Sequence, residues 1–150
     1  MKLDYLYPSW EIVRRSLELA ARPLDPELLD LREERGDDSV GDLLRRLLFT
    51  ENYWTKQVIR GAGVVRESDY GRERFPTAAG ILEGLNEVWR WTAAILERTH
   101  IDELERVYVT PDGEMMRLMT IFWILFMEEL HARGQVFALL RRLGFEPIRE

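Results

Sequence analysis

The stretch from Arg117 to Gly144 constrains this chain more than any other. It reads Arg-Leu-Met-Thr-Ile-Phe-Trp-Ile-Leu-Phe-Met-Glu-Glu-Leu-His-Ala-Arg-Gly-Gln-Val-Phe-Ala-Leu-Leu-Arg-Arg-Leu-Gly. No proline interrupts it, and Gly144 follows Arg141 and Arg142, where a left-handed helix cap is expected. Every residue from Ile121 to Met127 is apolar, so this part of a helix should be covered on more than one side. At about 3.6 residues per turn two faces separate. One carries Met119, Trp123, Phe126, Met127, Leu130, Gly134 and Phe137. The opposite one carries Ile121, Ile124, Leu125, Glu128, Ala132, Gln135 and Leu139, with His131 on the flank. Glu128 is then expected to point inward and its neighbour Glu129 to solvent.

A chain of 150 residues is expected to form one domain that buries roughly two-thirds of its unfolded surface. It has no cysteine, which excludes disulfides, thiolate metal sites and cysteine nucleophiles. A net charge of -6 argues against a general nucleic-acid binder. The apolar run at 121–127 is too short to cross a bilayer, which takes ~20 residues, so no membrane partner is expected. The opening Met-Lys-Leu-Asp-Tyr lacks the apolar core of a signal peptide, and a cytoplasmic location is expected. Lys2 and Lys56 are the only lysines beside many arginines, and thermolabile residues are sparse. That bias leans toward a thermophilic source, or equally toward a GC-rich genome.

Taken in order, the chain reads as helices joined by short pieces. Pro8 suits a first helical turn, Trp10, Val13, Leu17 and Ala20 repeat at helical spacing, and Arg22-Pro23 ends the run. Asp25 and Pro26 start one short turn through Leu29. Ser39 and Asp42 have the spacing of a capping box, opening a second helix that reaches Gly61. Its stripe is Val40, Leu43, Leu44, Leu47, Glu51, Trp54 and Val58. A third helix runs from Pro76 or Thr77 to about Arg98, with a further turn at 101–104. Val107 to Met116 reads as a hairpin around Pro111-Asp112-Gly113, leading into the last helix. The expected architecture is all-α: a four-helix bundle with accessory helical turns and one small hairpin.

Catalytic triads, phosphate-cradling glycine loops and a His-Glu-x-x-His motif are absent. His100 reads as a surface residue at a helix end. His131, one turn from both Glu128 and Gln135, reads first as a boundary histidine bonded to a carboxylate and second as a ligand for a metal or small molecule. Glu51 lies within an apolar stripe, and a carboxylate there needs a partner because burying it unpaired costs several kcal/mol. Arg46, at the margin of the same stripe, is the expected partner for a buried glutamate. The competing arrangement is a metal held by Glu51, Glu128 and His131 from facing helices. Gly134 and Ala138, beside Leu130 and Phe137, suit close helix–helix contact, so a homodimer is expected.

These residues carry a resemblance. Ser39-Val40-Gly41-Asp42-Leu43-Leu44-Arg45-Arg46, followed by Glu51 and Trp54, resembles the Ser/Thr-Ile-Gly-Glu-Leu-Leu-x-His stretch of the DinB-like superfamily of bacterial four-helix bundles. Glu128-Glu129-Leu130-His131-Ala132-Arg133-Gly134-Gln135, continuing to Leu140-Arg141-Arg142-Leu143-Gly144, resembles that family's His-Glu-x-His-His-Arg-Gly-Gln segment and its Leu-Arg-x-x-Gly ending. The likeness implies a mononuclear nickel or zinc site held by three histidines, thiol transferase or isomerase activity in some members, and homodimers. The family's three ligand positions fall on Arg46, Glu128 and Ala132, none of which is histidine. An arginine is permanently charged and brings no lone pair, so it is hostile to a divalent cation.

The reading that results is a DinB-like bundle without the standard metal and with no cofactor, retaining a polar pocket of Arg46, Glu51, Glu128, His131 and Gln135 for a small molecule or partner. Two alternatives stand beside it. One is a metal-dependent transferase or hydrolase using nickel or zinc on Glu51, Glu128 and His131, with a bound water doing the chemistry. The other is a structural or regulatory dimer.

Overall fold

A computed structural model describes residues 9–147 of the chain; the helical role of Pro8 lies outside them. Four long helices form the bundle: α1 (Trp10–Ala21), α3 (Val40–Asn52), α4 (Ala78–Arg98) and α5 (Leu118–Arg142). A short α2 (Pro26–Leu29) links the first two, and α5 packs directly against both α1 and α3.

The local signals in the sequence set most of the boundaries. Asp25 accepts a hydrogen bond from the Leu28 N–H at 2.8 Å, with Pro26 at the first helical position. At the start of α3, Ser39 Oγ accepts from Asp42 N–H and the Asp42 carboxylate accepts from Ser39 N–H, each at 3.0 Å. Two of the helix's orphan donors are satisfied in this way. Thr77 caps α4 by accepting from Gly80 N–H at 3.1 Å. After α5, Gly144 adopts φ +89°, Gly144 N–H donates to Arg141 O at 3.0 Å and Phe145 N–H to Leu140 O at 2.8 Å. That pair of bonds is a Schellman termination, for which the left-handed glycine is required.

The second helix differs from the expectation of one uninterrupted α-helix to Gly61. Beyond Asn52 the chain continues as a π-helix, Tyr53–Ile59, in which Arg60 N–H reaches back five residues to Thr55 O at 3.1 Å. The wider turn buries Thr55 and leaves Trp54 half-buried. A 3₁₀ turn at Glu67–Tyr70 and another at Ile101–Glu105 fill the connections around α4. The hairpin pairs β1 (Val107–Val109) antiparallel to β2 (Met115–Arg117), with Tyr108 opposite Met116. Gly113 takes φ +87° in its turn.

The interior has two apolar clusters. One includes Leu17, Leu44, Leu48, Ile81, Leu85, Val88, Ala132 and Val136. The other includes Trp10, Val58, Ile121, Phe122, Leu125 and Phe126, with Ile95 packed against it. Along each long helix the change from one cluster to the other falls at a buried polar residue: Arg14 on α1, Glu51 on α3, Thr92 on α4 and Glu129 on α5. A charged layer therefore crosses the bundle between two oily halves.

Candidate functional site

The layer is built from four helices around one guanidinium. Arg14 extends from α1 inside the stripe of Trp10, Val13 and Leu17. Its Nη2 bonds a Glu51 carboxylate oxygen, its Nη1 donates to Leu85 O at 3.3 Å, and its Nε meets Glu129 Oε1 at 2.5 Å as an ion pair. The remaining Glu51 oxygen accepts from Thr92 Oγ1 at 2.7 Å, and Thr92 lies 3.1 Å from Thr55 Oγ1 across the bundle. The other Glu129 oxygen accepts from the Trp10 indole N–H. Arg14 also lies over the Trp89 ring, 5.2 Å from its centroid.

One cation serves two buried carboxylates, so the layer carries a net negative charge whenever both are ionised. Burial pushes the Glu129 carboxyl up to about 7, the charge of Glu51 adds to that push, and Arg14 and the Trp10 N–H oppose it. Burial alone would lower the Arg14 guanidinium, but the two carboxylates outweigh it and hold it above its ordinary value. Arg14 is locked in its charged form, while Glu129 is the member that can take a proton.

The structure corrects the sequence reading at several points. Glu51 is buried as expected, but its partner is Arg14 and not Arg46. Arg46 is exposed and forks onto Asp38, at 3.0 and 2.9 Å, and the Asp38 carboxyl is held below its ordinary value chiefly by that fork. Glu128 is exposed and Glu129 is 1 % exposed, the reverse of the expectation. The cause lies in α5, whose buried stripe of Leu118, Phe122, Leu125, Glu129, Ala132 and Val136 runs between the two faces drawn from the sequence. Sequence reasoning missed Arg14, although it stands one turn from Trp10 within an apolar stripe, the same signal that singled out Glu51.

His131 and Gln135 are exposed and line an open groove of about 720 Å³ between α5 and the 33–38 segment that leads into α3. Asp37, Asp38 and Arg142 border it, and Leu43, Leu130 and Leu139 supply its apolar surface. Arg142 pairs with Glu33 at one edge. The five residues expected to share a pocket thus separate: His131 and Gln135 face the groove, Arg46 backs its Asp38 wall, Glu51 sits in the core layer, and Glu128 stands on the outside of α5.

The fold and this arrangement define a four-helix bundle with a buried charge layer and a lateral groove. The sequence matches the DinB superfamily over residues 9–136, and the chain belongs to that superfamily. Among solved structures it is similar to a DinB-like protein from Bacillus cereus ATCC 10987, with a TM-score of 0.71 and 17% identity over 98% of this chain and 93% of that one. It is equally similar to YfiT from Bacillus subtilis, described as a probable metal-dependent hydrolase with an unusual four-helix bundle topology (TM-score 0.71, 21% identity, 95% and 88% covered). A DinB family member from Exiguobacterium sibiricum 255-15 matches with a TM-score of 0.67 and 16% identity over 100% of this chain and 97% of that one. No curated protein matches the chain.

The residues present do not fit the three-histidine ion that the superfamily implies. Of its three positions, Ala132 presents a buried methyl, Arg46 a fixed cation already committed to Asp38, and only Glu128 a donor. Among the described residues no three His, Cys, Asp or Glu side chains are grouped so as to hold a metal. Glu51, Glu128 and His131 in particular lie in three different surroundings. Among the described residues no helix is long and apolar enough to cross a membrane.

Proposed function

We propose that this DinB superfamily member binds a small molecule in the groove beside α5, without the three-histidine ion. The observation that carries this reading is the pair His131 and Gln135. They stand one turn apart on the open wall and make no side-chain hydrogen bond among the described residues. An imidazole and an amide offer donors and acceptors to a ligand's polar edge, and Leu43, Leu130 and Leu139 offer an apolar surface to its body. The volume falls in the range of small-ligand sites, about 300–1,000 Å³. In this reading the exposed Trp123 and Met127 on the outer face of α5 serve as the contact between two copies.

The hydrolase description of YfiT supports a metal-dependent alternative by kinship. Against it stands Glu51, whose carboxylate is engaged by Arg14 and Thr92 in the core.

The test is a thermal-shift screen of amines, carboxylates, sugars and thiols, repeated on His131→Ala/Gln135→Ala. A binder raises the melting point of the native protein, and the double variant loses that gain while keeping its unliganded melting point, since both side chains are exposed. A gain that survives the double substitution, or a screen without any gain, sinks the proposal.

A further inference from the structure

The charges around the groove beside α5 do not cancel, and the remainder sits on one side chain. Three carboxylates line it from the segment before α3, those of Glu33, Asp37 and Asp38, and one guanidinium lines it from α5, that of Arg142. Arg142 is paired with Glu33. Asp38 is forked by Arg46 from behind the wall, at 3.0 and 2.9 Å. Asp37 is exposed and makes no ion pair or side-chain hydrogen bond among the described residues. Its backbone is nevertheless fixed. Gly36 takes φ +98°, Asp37 N–H donates to Glu34 O at 3.2 Å, and two residues on Ser39 is locked by its reciprocal bonds with Asp42.

We infer, resting on the groove reading above, that the groove selects a monocation: an organic amine or guanidine whose charged head meets Asp37 and whose apolar body lies on Leu43, Leu130 and Leu139. From the α5 wall His131 and Gln135 add an imidazole nitrogen and an amide oxygen as acceptors. An ammonium brings three donors and no acceptor, so a carboxylate, an imidazole and an amide oxygen are the partners it needs. An anion would meet guanidiniums already neutralised by their own carboxylates, and would be repelled by Asp37. A bare metal ion suits the lining less well, because no three His, Cys, Asp or Glu among the described residues are grouped to hold one.

The experiment compares three probes that share a body and differ in the head: benzylamine, benzyl alcohol and benzoate. Affinities are read from the rise of the melting point with probe concentration, at low salt. The pH is about 8, above the range where an imidazole ordinarily charges. Benzylamine is expected to bind the native protein about fivefold tighter than the alcohol, the gain of an ion pair open to solvent, and benzoate more weakly than either. That gap should narrow as salt is raised, since an exposed pair is screened. Asp37→Asn keeps the shape of the side chain and should bind the alcohol as before while losing the preference for the amine. Its unliganded melting point should hold, because position 37 is exposed. Equal binding of the three heads, a preference that survives Asp37→Asn, or no binding by any of them overturns the monocation. Probes that bind without regard to charge, and are lost in His131→Ala/Gln135→Ala, sink the monocation and leave the groove standing.

Discussion

Two buried arginines, Arg14 and Arg45, solve the same problem in opposite ways. Their side chains are similarly hidden, at 8% and 5% exposure, so burial does not distinguish them. Charge balance does. Arg45 forks onto Asp30 at 2.7 and 3.3 Å, donates through Nε to Phe75 O at 2.8 Å, and has Asp42 at 3.8 Å. Asp30 also receives the exposed Arg72 at 3.2 Å. Positive and negative charges there are matched, and the clasp opens at its rim to solvent. Arg14 stands at the centre of the bundle and is divided between two carboxylates, those of Glu51 and Glu129. One arrangement fastens a loop to a helix; the other holds four helices together around more carboxylates than cations.

The first way to break this comparison is to remove each guanidinium. Arg14→Met leaves Glu51 and Glu129 facing each other without a counter-charge, and should cost about 3–5 kcal/mol in urea unfolding. Arg45→Met leaves Asp30 with Arg72 and a route to water, and should cost about 1.5–3 kcal/mol. Equal costs would show that charge balance is not what separates the two.

A smaller effect sharpens the same point through pH. Glu129 is raised in the folded protein from an ordinary 4.5 to about 7, so the folded state binds a proton that the unfolded state has released. Its contribution to stability is fully present below about 4.5 and is lost as pH climbs through about 7. Unfolding free energy should therefore decline by about 1–3 kcal/mol between pH 5 and 8, and Glu129→Gln should flatten that decline. A decline unchanged in the variant would place the titrating group elsewhere.

The smallest effects concern two glycines. A Cβ on Gly41 would lie 2.7 Å from Asp30 Oδ1, 2.8 Å from an Arg45 nitrogen and 3.0 Å from Leu29 O, so Gly41→Ala should cost about 1–3 kcal/mol by displacing the clasp. A Cβ on Gly134 meets nothing within 4 Å, and Gly134→Ala in mid-helix should gain up to about 1 kcal/mol. Thermal melts of the pair check both signs.

These glycines also show what the sequence could and could not disclose. Caps and turns were legible because their chemistry is local: Ser39 with Asp42, Asp25 with Pro26, and Gly144 after two arginines all act within a few residues. Glu51 was legible as a charge set in an apolar stripe. Its partner was not, since Arg14 and Glu51 are 37 residues apart and meet only once α1 lies against α3. The exchange of Glu128 for Glu129 has a different cause. With every residue from Ile121 to Met127 apolar, hydrophobicity hardly distinguishes one phase of α5 from another, and packing against α1 and α3 decided it. The groove was half-legible: His131 and Gln135 stood out as polar neighbours at helical spacing, while its opposite wall comes from the 33–38 segment, which reads in sequence only as a charged loop.

The π-helix after Asn52 has a consequence for anyone comparing this chain with its relatives. Its turns hold more residues than an α-helix for the same advance along the axis, so the assignment of side chains to faces slips along Tyr53–Ile59. A position lined up by sequence alone beyond that point can be matched to a residue on a different side of the bundle. Thr55, hidden beside Thr92, and Trp54, edge-on against Tyr53, are sequence neighbours in very different surroundings, so a slip of one residue there exchanges a buried hydroxyl for a half-buried indole. Correspondence with the relatives in this helix is therefore to be drawn from superposed backbones, with the count restarted after Ile59.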